Sequence, residues 1–188
     1  MKSAARWVSI FAHPFVMAGL MVAVVAMRRP SGNAFGSVLL VAACVVVPIA
    51  LLMFLKVRRG RWTNVDASRT SERPALFVAA LAGLVAAMAW LLVNDPRSFL
   101  VRGMLVVAAF LLVAALVTRL GVKVSLHVAF AAFAATTLCL LGSWAGYALV
   151  VVVPLVCWSR IALARHRVVE LVAGLALGVA AGAALVLL

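Results

Sequence analysis

The chain has 188 residues, of which 68% are hydrophobic and 11% are charged. Soluble domains average about 45–50% apolar and about 25% charged residues, so this composition excludes an ordinary soluble domain and indicates a membrane protein. The net charge is +13, and in so apolar a chain we expect Lys and Arg to set the membrane topology rather than to bind nucleic acid.

Seven apolar segments follow one another along the chain, and their lengths are typical of helices that cross a bilayer. No alternation of polar and apolar residues favours a barrel. The sixth segment is short, and the sequence leaves open whether its helix continues into the Ser159-Arg160 pair. We therefore predict an all-α fold, a polytopic transmembrane bundle of six to seven spans forming a single domain over residues 1–188. The segments cover residues 7–27, 34–55, 75–93, 100–118, 125–145, 147–158 and 168–188.

The first segment follows a charged head, as in a signal peptide. Its apolar run is long and no convincing cleavage site follows, so we predict an uncleaved first span. His13 and Pro14 lie within this span, and we expect them to pack against the bundle rather than to line an entry for lipid.

Lys and Arg are distributed unequally between the two sides that seven spans define. By the positive-inside rule, the side rich in these residues is cytoplasmic, and it holds the N-terminus. We predict an integral protein of a bacterial inner (plasma) membrane. That side carries 13 of the 17 basic residues: Lys2, Arg6, Lys56, Arg58, Arg59, Arg61, Arg69, Arg73, Arg119, Lys123, Arg160, Arg165 and Arg167.

The same side collects three polar stretches, DASRTSERP (66–74), KVSLH (123–127) and SRIALARHRVVE (159–170). His166 and Glu170 are four residues apart, so in a helix they share a face. The carboxylate can then bind one imidazole nitrogen and leave the other as a nucleophile or base.

Other residues of these stretches suit the binding of an anion. Arg73 and Arg160 offer planar donor forks for phosphate oxygens. Ser125 stands at a predicted helix start, where backbone N–H groups favour an anion. His127 is a second imidazole and a candidate general acid.

The three stretches resemble, in order, the three signatures of the type 2 phosphatidic acid phosphatase superfamily. Ser159-Arg160, His166 and Glu170 fit the spacing of the third signature. The segment 124–127 is similar to the second, Pro-Ser-Gly-His, and Arg73-Pro74 matches the end of the first.

Several positions depart from the family's signatures. Asp66 stands where the family has Lys, and Glu170 stands where it has Asp. Val124 and Leu126 replace the proline and glycine of the second signature, the residues suited to its tight turn. Many members carry the site on the extracytoplasmic side, whereas the charge distribution here predicts the cytoplasmic one.

The resemblance implies a lipid-phosphate phosphatase that needs no metal or other cofactor. It implies that His166 attacks phosphorus to form a phosphohistidine, that Glu170 orients it and that His127 protonates the leaving alkoxide. The expected partner is a lipid phosphate in the bilayer, either phosphatidate-like or polyprenyl-linked; the oligomeric state is open. The phosphoryl oxygens would be held by Arg73, Arg160 and Ser125, with Lys123 or Arg69 helping.

Three other functions stay open at this stage. A prenyl-transferring enzyme would need Asp-rich metal motifs, of which Asn64 and Asp66 are a poor remnant. A transporter or flippase would use the basic residues as a headgroup site. A catalytically inactive relative would keep only a structural role.

Overall fold

A computed structural model describes residues 2–28, 34–62, 70–96 and 99–187, and within these ranges all regular structure is helical. The predicted all-α class is thus confirmed. A 3₁₀ turn, Thr70–Glu72, precedes α4. The helices are α1 (Lys2–Phe11), α2 (Pro14–Arg28), α3 (Ala34–Arg58), α4 (Arg73–Asn94), α5 (Phe99–Arg119), α6 (Leu126–Leu140), α7 (Trp144–Ala162) and α8 (Val168–Leu187).

The described helices identify an integral membrane protein. Five of them, α3, α4, α5, α7 and α8, are long and apolar enough to cross a bilayer. The pair α1 and α2 makes a sixth if it is counted as one span bent by 43°. Helix α6 is apolar but has only 15 residues, which is short of the roughly 20 that the hydrocarbon layer requires.

Two features of the predicted segments differ most from the observed helices, whose other ends lie within a few residues of the prediction. The first span breaks between Phe11 and Pro14 because proline lacks an N–H and disfavours helical backbone at the residue before it, His13. The fifth segment ends early, in a turn at Leu141–Ser143 where Gly142 adopts a φ of 66°. The short helix is therefore α6, which corresponds to the fifth segment and not to the sixth, and α7 continues through Ser159 and Arg160.

The chain forms two compact units, residues 1–29 with 117–188 and residues 30–116. In the first unit α6 packs against α2, α7 and α8, and α1 packs against α7. In the second unit α3 packs against α4, with Gly83 close to the carbonyl of Cys44. That residues 1–188 form a single domain stays a prediction.

Glycines spaced by four residues allow α8 to approach α6 closely. A Cβ on Gly174 would meet the Ser125 carbonyl, and one on Gly178 would meet the Ala129 carbonyl. Small residues at this spacing are how helices gain contact in a membrane. Because the contacts advance together along both helices, α6 and α8 run parallel, and their N-terminal ends lie at the same end of the unit.

Candidate functional site

Polar side chains gather at one end of the first unit, where α6 and α8 begin and α7 ends. Ser125 is fully buried at the start of α6, and His127 follows it in the first turn. Arg160 is only 2% exposed in the last turn of α7. Burial of polar groups in so apolar a chain costs folding free energy unless each group forms a hydrogen bond or an ion pair.

The loop between α7 and α8 brings His166 against Glu170. Helix α7 ends in a turn in which Ala164 adopts a φ of 51° and the Arg165 N–H donates to the Arg160 carbonyl. His166 Nδ1 then lies 2.7 Å from Glu170 Oε2, and the two side chains are 4% and 14% exposed. The predicted contact is therefore present, but the two residues do not share a helical face, because His166 precedes α8 and only Glu170 lies in it.

This contact determines the chemistry of the imidazole. An ionised carboxylate only accepts hydrogen bonds, so it selects the tautomer with its proton on Nδ1. The lone pair then belongs to Nε2, as a nucleophile requires. The backbone N–H of Arg167 also donates to Glu170 Oε2, at 3.3 Å, which holds the carboxylate at the start of α8.

The guanidinium of Arg160 contacts a residue that the sequence patterns do not predict as part of the site. Its Nη1 donates to the Oγ of Ser9 in α1, at 2.6 Å, and both residues are buried. The two residues are 151 positions apart in the chain. A hydroxyl orients the guanidinium without cancelling its positive charge.

Ser125 occupies the N-cap position of α6 but does not cap the helix with its side chain. Its backbone is extended, with φ −78° and ψ 100°, and its N–H donates to the Glu170 carbonyl at 3.1 Å. Among the described residues, the buried Oγ of Ser125 finds no hydrogen-bond partner. An N-cap hydroxyl that is not used for capping is suited to binding an anion at the helix N-terminus.

His127 contacts a second imidazole that lies at the break in the first span. The ring centroids of His127 and His13 are 5.3 Å apart, and the planes meet at 82°. His13 Nδ1 accepts a hydrogen bond from the backbone N–H of Phe15, at 3.3 Å. The expected packing of His13 against the bundle is present, and its neighbour there is a predicted site residue.

Lys123 ties the loop before α6 to the loop before α8. Its Nζ donates to the carbonyl of Arg165 at 2.8 Å. Lys123 therefore lies at the site as a residue that holds the two loops together. A direct contact between Lys123 and phosphate stays a prediction.

For Arg73, Arg69 and Asp66, a place at this site stays a prediction. Arg73 belongs to the other unit, where it is buried at the start of α4 beside the buried Glu72. Arg69 and Asp66 lie outside the described residues. One end of the first unit thus brings together six of the predicted residues: Lys123, Ser125, His127, Arg160, His166 and Glu170.

No protein-family model, curated protein or solved structure matches this chain. Within the described ranges, no group of three His, Cys, Asp or Glu residues is placed to hold a metal ion. The resemblance to the phosphatase superfamily thus stays a prediction, carried by the residues themselves.

Proposed function

We propose that this chain is an integral membrane phosphatase that hydrolyses a phosphomonoester, or a pyrophosphate, of a membrane lipid. The observation that carries the proposal is the 2.7 Å contact between His166 Nδ1 and Glu170 Oε2, at the end of the unit where Arg160 is buried. A carboxylate-oriented imidazole near a buried arginine suits attack on a phosphoryl group better than it suits any of the other functions considered.

In the first step, His166 Nε2 attacks phosphorus in line with the lipid oxygen. A P–N bond forms, the P–O bond to the lipid breaks, and its electron pair goes to the leaving alkoxide. His127 gives that alkoxide a proton, a role typically worth about 10²–10⁴-fold in rate. Glu170 stabilises the positive charge that develops on the imidazole of His166.

The phosphoryl oxygens need positive charge and N–H donors in fixed positions. Arg160 supplies a planar fork, and Ser125 supplies a hydroxyl at the start of α6. We propose that Arg73 adds a second guanidinium. Such groups stabilise the transition state because they need not reorganise as charge develops, and they replace the metal ions that other phosphoryl-transfer enzymes use.

In the second step, water attacks the phosphohistidine. The P–N bond breaks, its electron pair returns to His166 Nε2, and His127 takes a proton from the water. Inorganic phosphate then leaves, and both imidazoles return to their starting forms. The proposed cycle requires water and the chain's own residues.

The proposed substrate is a phosphorylated lipid, phosphatidate-like or polyprenyl-linked. The ends of apolar helices lie where a phosphate head can reach the site while its tail stays in the bilayer. The excess of Lys and Arg on the side of this site favours the cytoplasmic face of a bacterial inner membrane.

The test compares wild type with His166→Ala in detergent, with EDTA present. The panel contains phosphatidate, lysophosphatidate, a polyprenyl phosphate and a polyprenyl pyrophosphate, and the readout is inorganic phosphate released. We expect loss of the nucleophile to lower turnover by about 10³-fold or more. Val169→Ala is the matched control, because this side chain is exposed in the first turn of α8, three residues after His166.

A second readout looks for the covalent intermediate. Substrate labelled at phosphorus should leave on the wild-type chain a label that is labile to acid, and none on His166→Ala. Equal phosphate release by both proteins would defeat the mechanism. Lipid phosphate binding without release in either protein would favour a transporter or an inactive relative.

A further inference from the structure

We infer that the broken first span, α1 with α2, completes the site: Ser9 positions Arg160, and His13 positions His127. Both are positioning residues that act through another side chain. The inference deepens the proposed function and rests on it for the roles of Arg160 and His127. The two contacts themselves are geometric features of the first unit.

The contact between Ser9 and Arg160 selects one orientation of a flexible side chain. Arginine has many rotamers, and an anion gains most from a guanidinium that is already held in place. Ser9 Oγ accepts from Nη1 at 2.6 Å within a buried environment. The hydroxyl fixes the fork and, being neutral, adds no negative charge of its own beside the guanidinium.

The contact between His13 and His127 follows from the break itself. The N–H of Phe15 donates to His13 Nδ1, so the proton of the His13 ring is on Nε2 and the ring is neutral. The ring is then held as a cap of α2 and meets His127 edge to face. A proposed general acid gains from such a fixed neighbour, because proton transfer requires an oriented ring.

The break allows one segment to reach two helices. Ser9 and His13 are four residues apart, and α1 packs against α7 whereas α2 packs against α6. The 43° bend between α1 and α2 falls between the two contacts. A span bent at His13-Pro14 thus supports the arginine on one neighbour and the imidazole on the other.

The first experiment measures binding of inorganic phosphate to the detergent-solubilised full chain by calorimetry. We expect Ser9→Ala to weaken binding about tenfold, the usual worth of a hydrogen bond to a charged group. Ser9→Thr retains the hydroxyl and should restore binding to within about threefold of wild type. Ser3→Ala, on an exposed position of the same helix, should bind like wild type.

Turnover distinguishes the role of His13 from simple capping. His13→Asn keeps an acceptor for the Phe15 N–H and loses the ring, whereas His13→Phe keeps a ring against His127 and loses the acceptor. We expect His13→Asn to lower kcat about tenfold with little change in KM, and His13→Phe to retain most of kcat. A purely structural cap would give the opposite order.

The outcomes separate this inference from the proposed function. Unchanged turnover in His166→Ala would end the proposed function, whatever Ser9→Ala does. Phosphate binding that is equal in Ser9→Ala and wild type, or undetectable in wild type, overturns the inference even if His166 is essential. Weaker binding in Ser9→Ala that Ser9→Thr does not rescue also overturns it, because the hydroxyl would then not be the cause.

Discussion

Replacing Gly174 by alanine tests whether the close approach of α8 to α6 builds the site. A Cβ at Gly174 would lie 2.7 Å from the carbonyl oxygen of Ser125 and 3.5 Å from its Cβ. The nearest obstacle is backbone, so no side-chain rotation relieves it. The two helices would have to separate by about 0.7 Å to restore ordinary van der Waals contact, taken as roughly 3.4 Å between the two atoms.

The cost follows from two opposing effects. Overpacking of this kind destabilises by about 1–3 kcal/mol. Alanine regains up to about 1 kcal/mol over glycine through its helix propensity. We therefore expect Gly174→Ala to lower the free energy of unfolding by up to about 2 kcal/mol.

The same shift acts on the candidate site. The Ser125 N–H donates to the Glu170 carbonyl, and separation of the helices lengthens that bond and moves Ser125 away from the start of α8. We expect lipid-phosphate turnover to fall about tenfold or more, since small misplacements of positioning groups cost up to about 10²-fold. The assays are thermal unfolding in detergent and phosphate release from the best lipid of the panel.

Gly19→Ala is the matched control for Gly174→Ala. Gly19 lies in α2 of the same unit, and a Cβ there meets no atom within 4 Å in the described part of the chain. We expect Gly19→Ala to keep full turnover and to unfold at the same or a higher temperature. If Gly174→Ala matches it in both assays, contact between Gly174 and Ser125 does not determine the site.

Three further changes give separate expectations. Glu170→Gln removes the charge beside His166 and should lower kcat by about 10²-fold or more with little change in KM, measured by steady-state phosphate release; an unchanged kcat would exclude a role for the carboxylate. Lys123→Met removes the bond to the Arg165 carbonyl and should cost about 1 kcal/mol and speed proteolysis of the loop before α8; equal cleavage rates would contradict this. Thr137→Val removes a buried hydroxyl that has no hydrogen-bond partner among the described residues. It should raise the free energy of unfolding by about 1 kcal/mol, measured by thermal unfolding. A lower unfolding midpoint would show that the hydroxyl forms a hydrogen bond.

The helices could be predicted from hydropathy, and their ends only in part. A hydropathy sum registers how apolar a segment is and ignores backbone geometry. It therefore predicts one unbroken helix across His13-Pro14, where the missing proline N–H breaks the helix. It also extends the fifth segment past Gly142, whose positive φ turns the chain between α6 and α7. Both positions carried a local cue, since proline and glycine are the residues that interrupt helices.

The site could be predicted where its contacts are local in the chain. The contact between His166 and Glu170 joins residues only four apart, one in the loop before α8 and one in its first turn. The contact between Ser9 and Arg160 joins residues 151 positions apart, and only the packing of α1 against α7 brings them together. A serine in an apolar helix carries no local mark of such a role, so Ser9 could not be predicted from the sequence.

Helices α6 and α8 are parallel and begin at the same end of the unit, but different residues stand at their N-termini. This difference suggests that only the N-terminus of α6 would receive the phosphoryl group. Each N-terminus carries partial positive charge. At α8 that charge is met by Glu170, which the Arg167 N–H holds in place, so this terminus serves the imidazole of His166. The first turn of α6 has no acidic residue, and the Oγ of Ser125 does not cap it. The start of α6 therefore keeps its affinity for an anion. In the proposed division of roles, Glu170 of α8 holds the nucleophile His166, and the start of α6 receives the phosphate that His166 attacks.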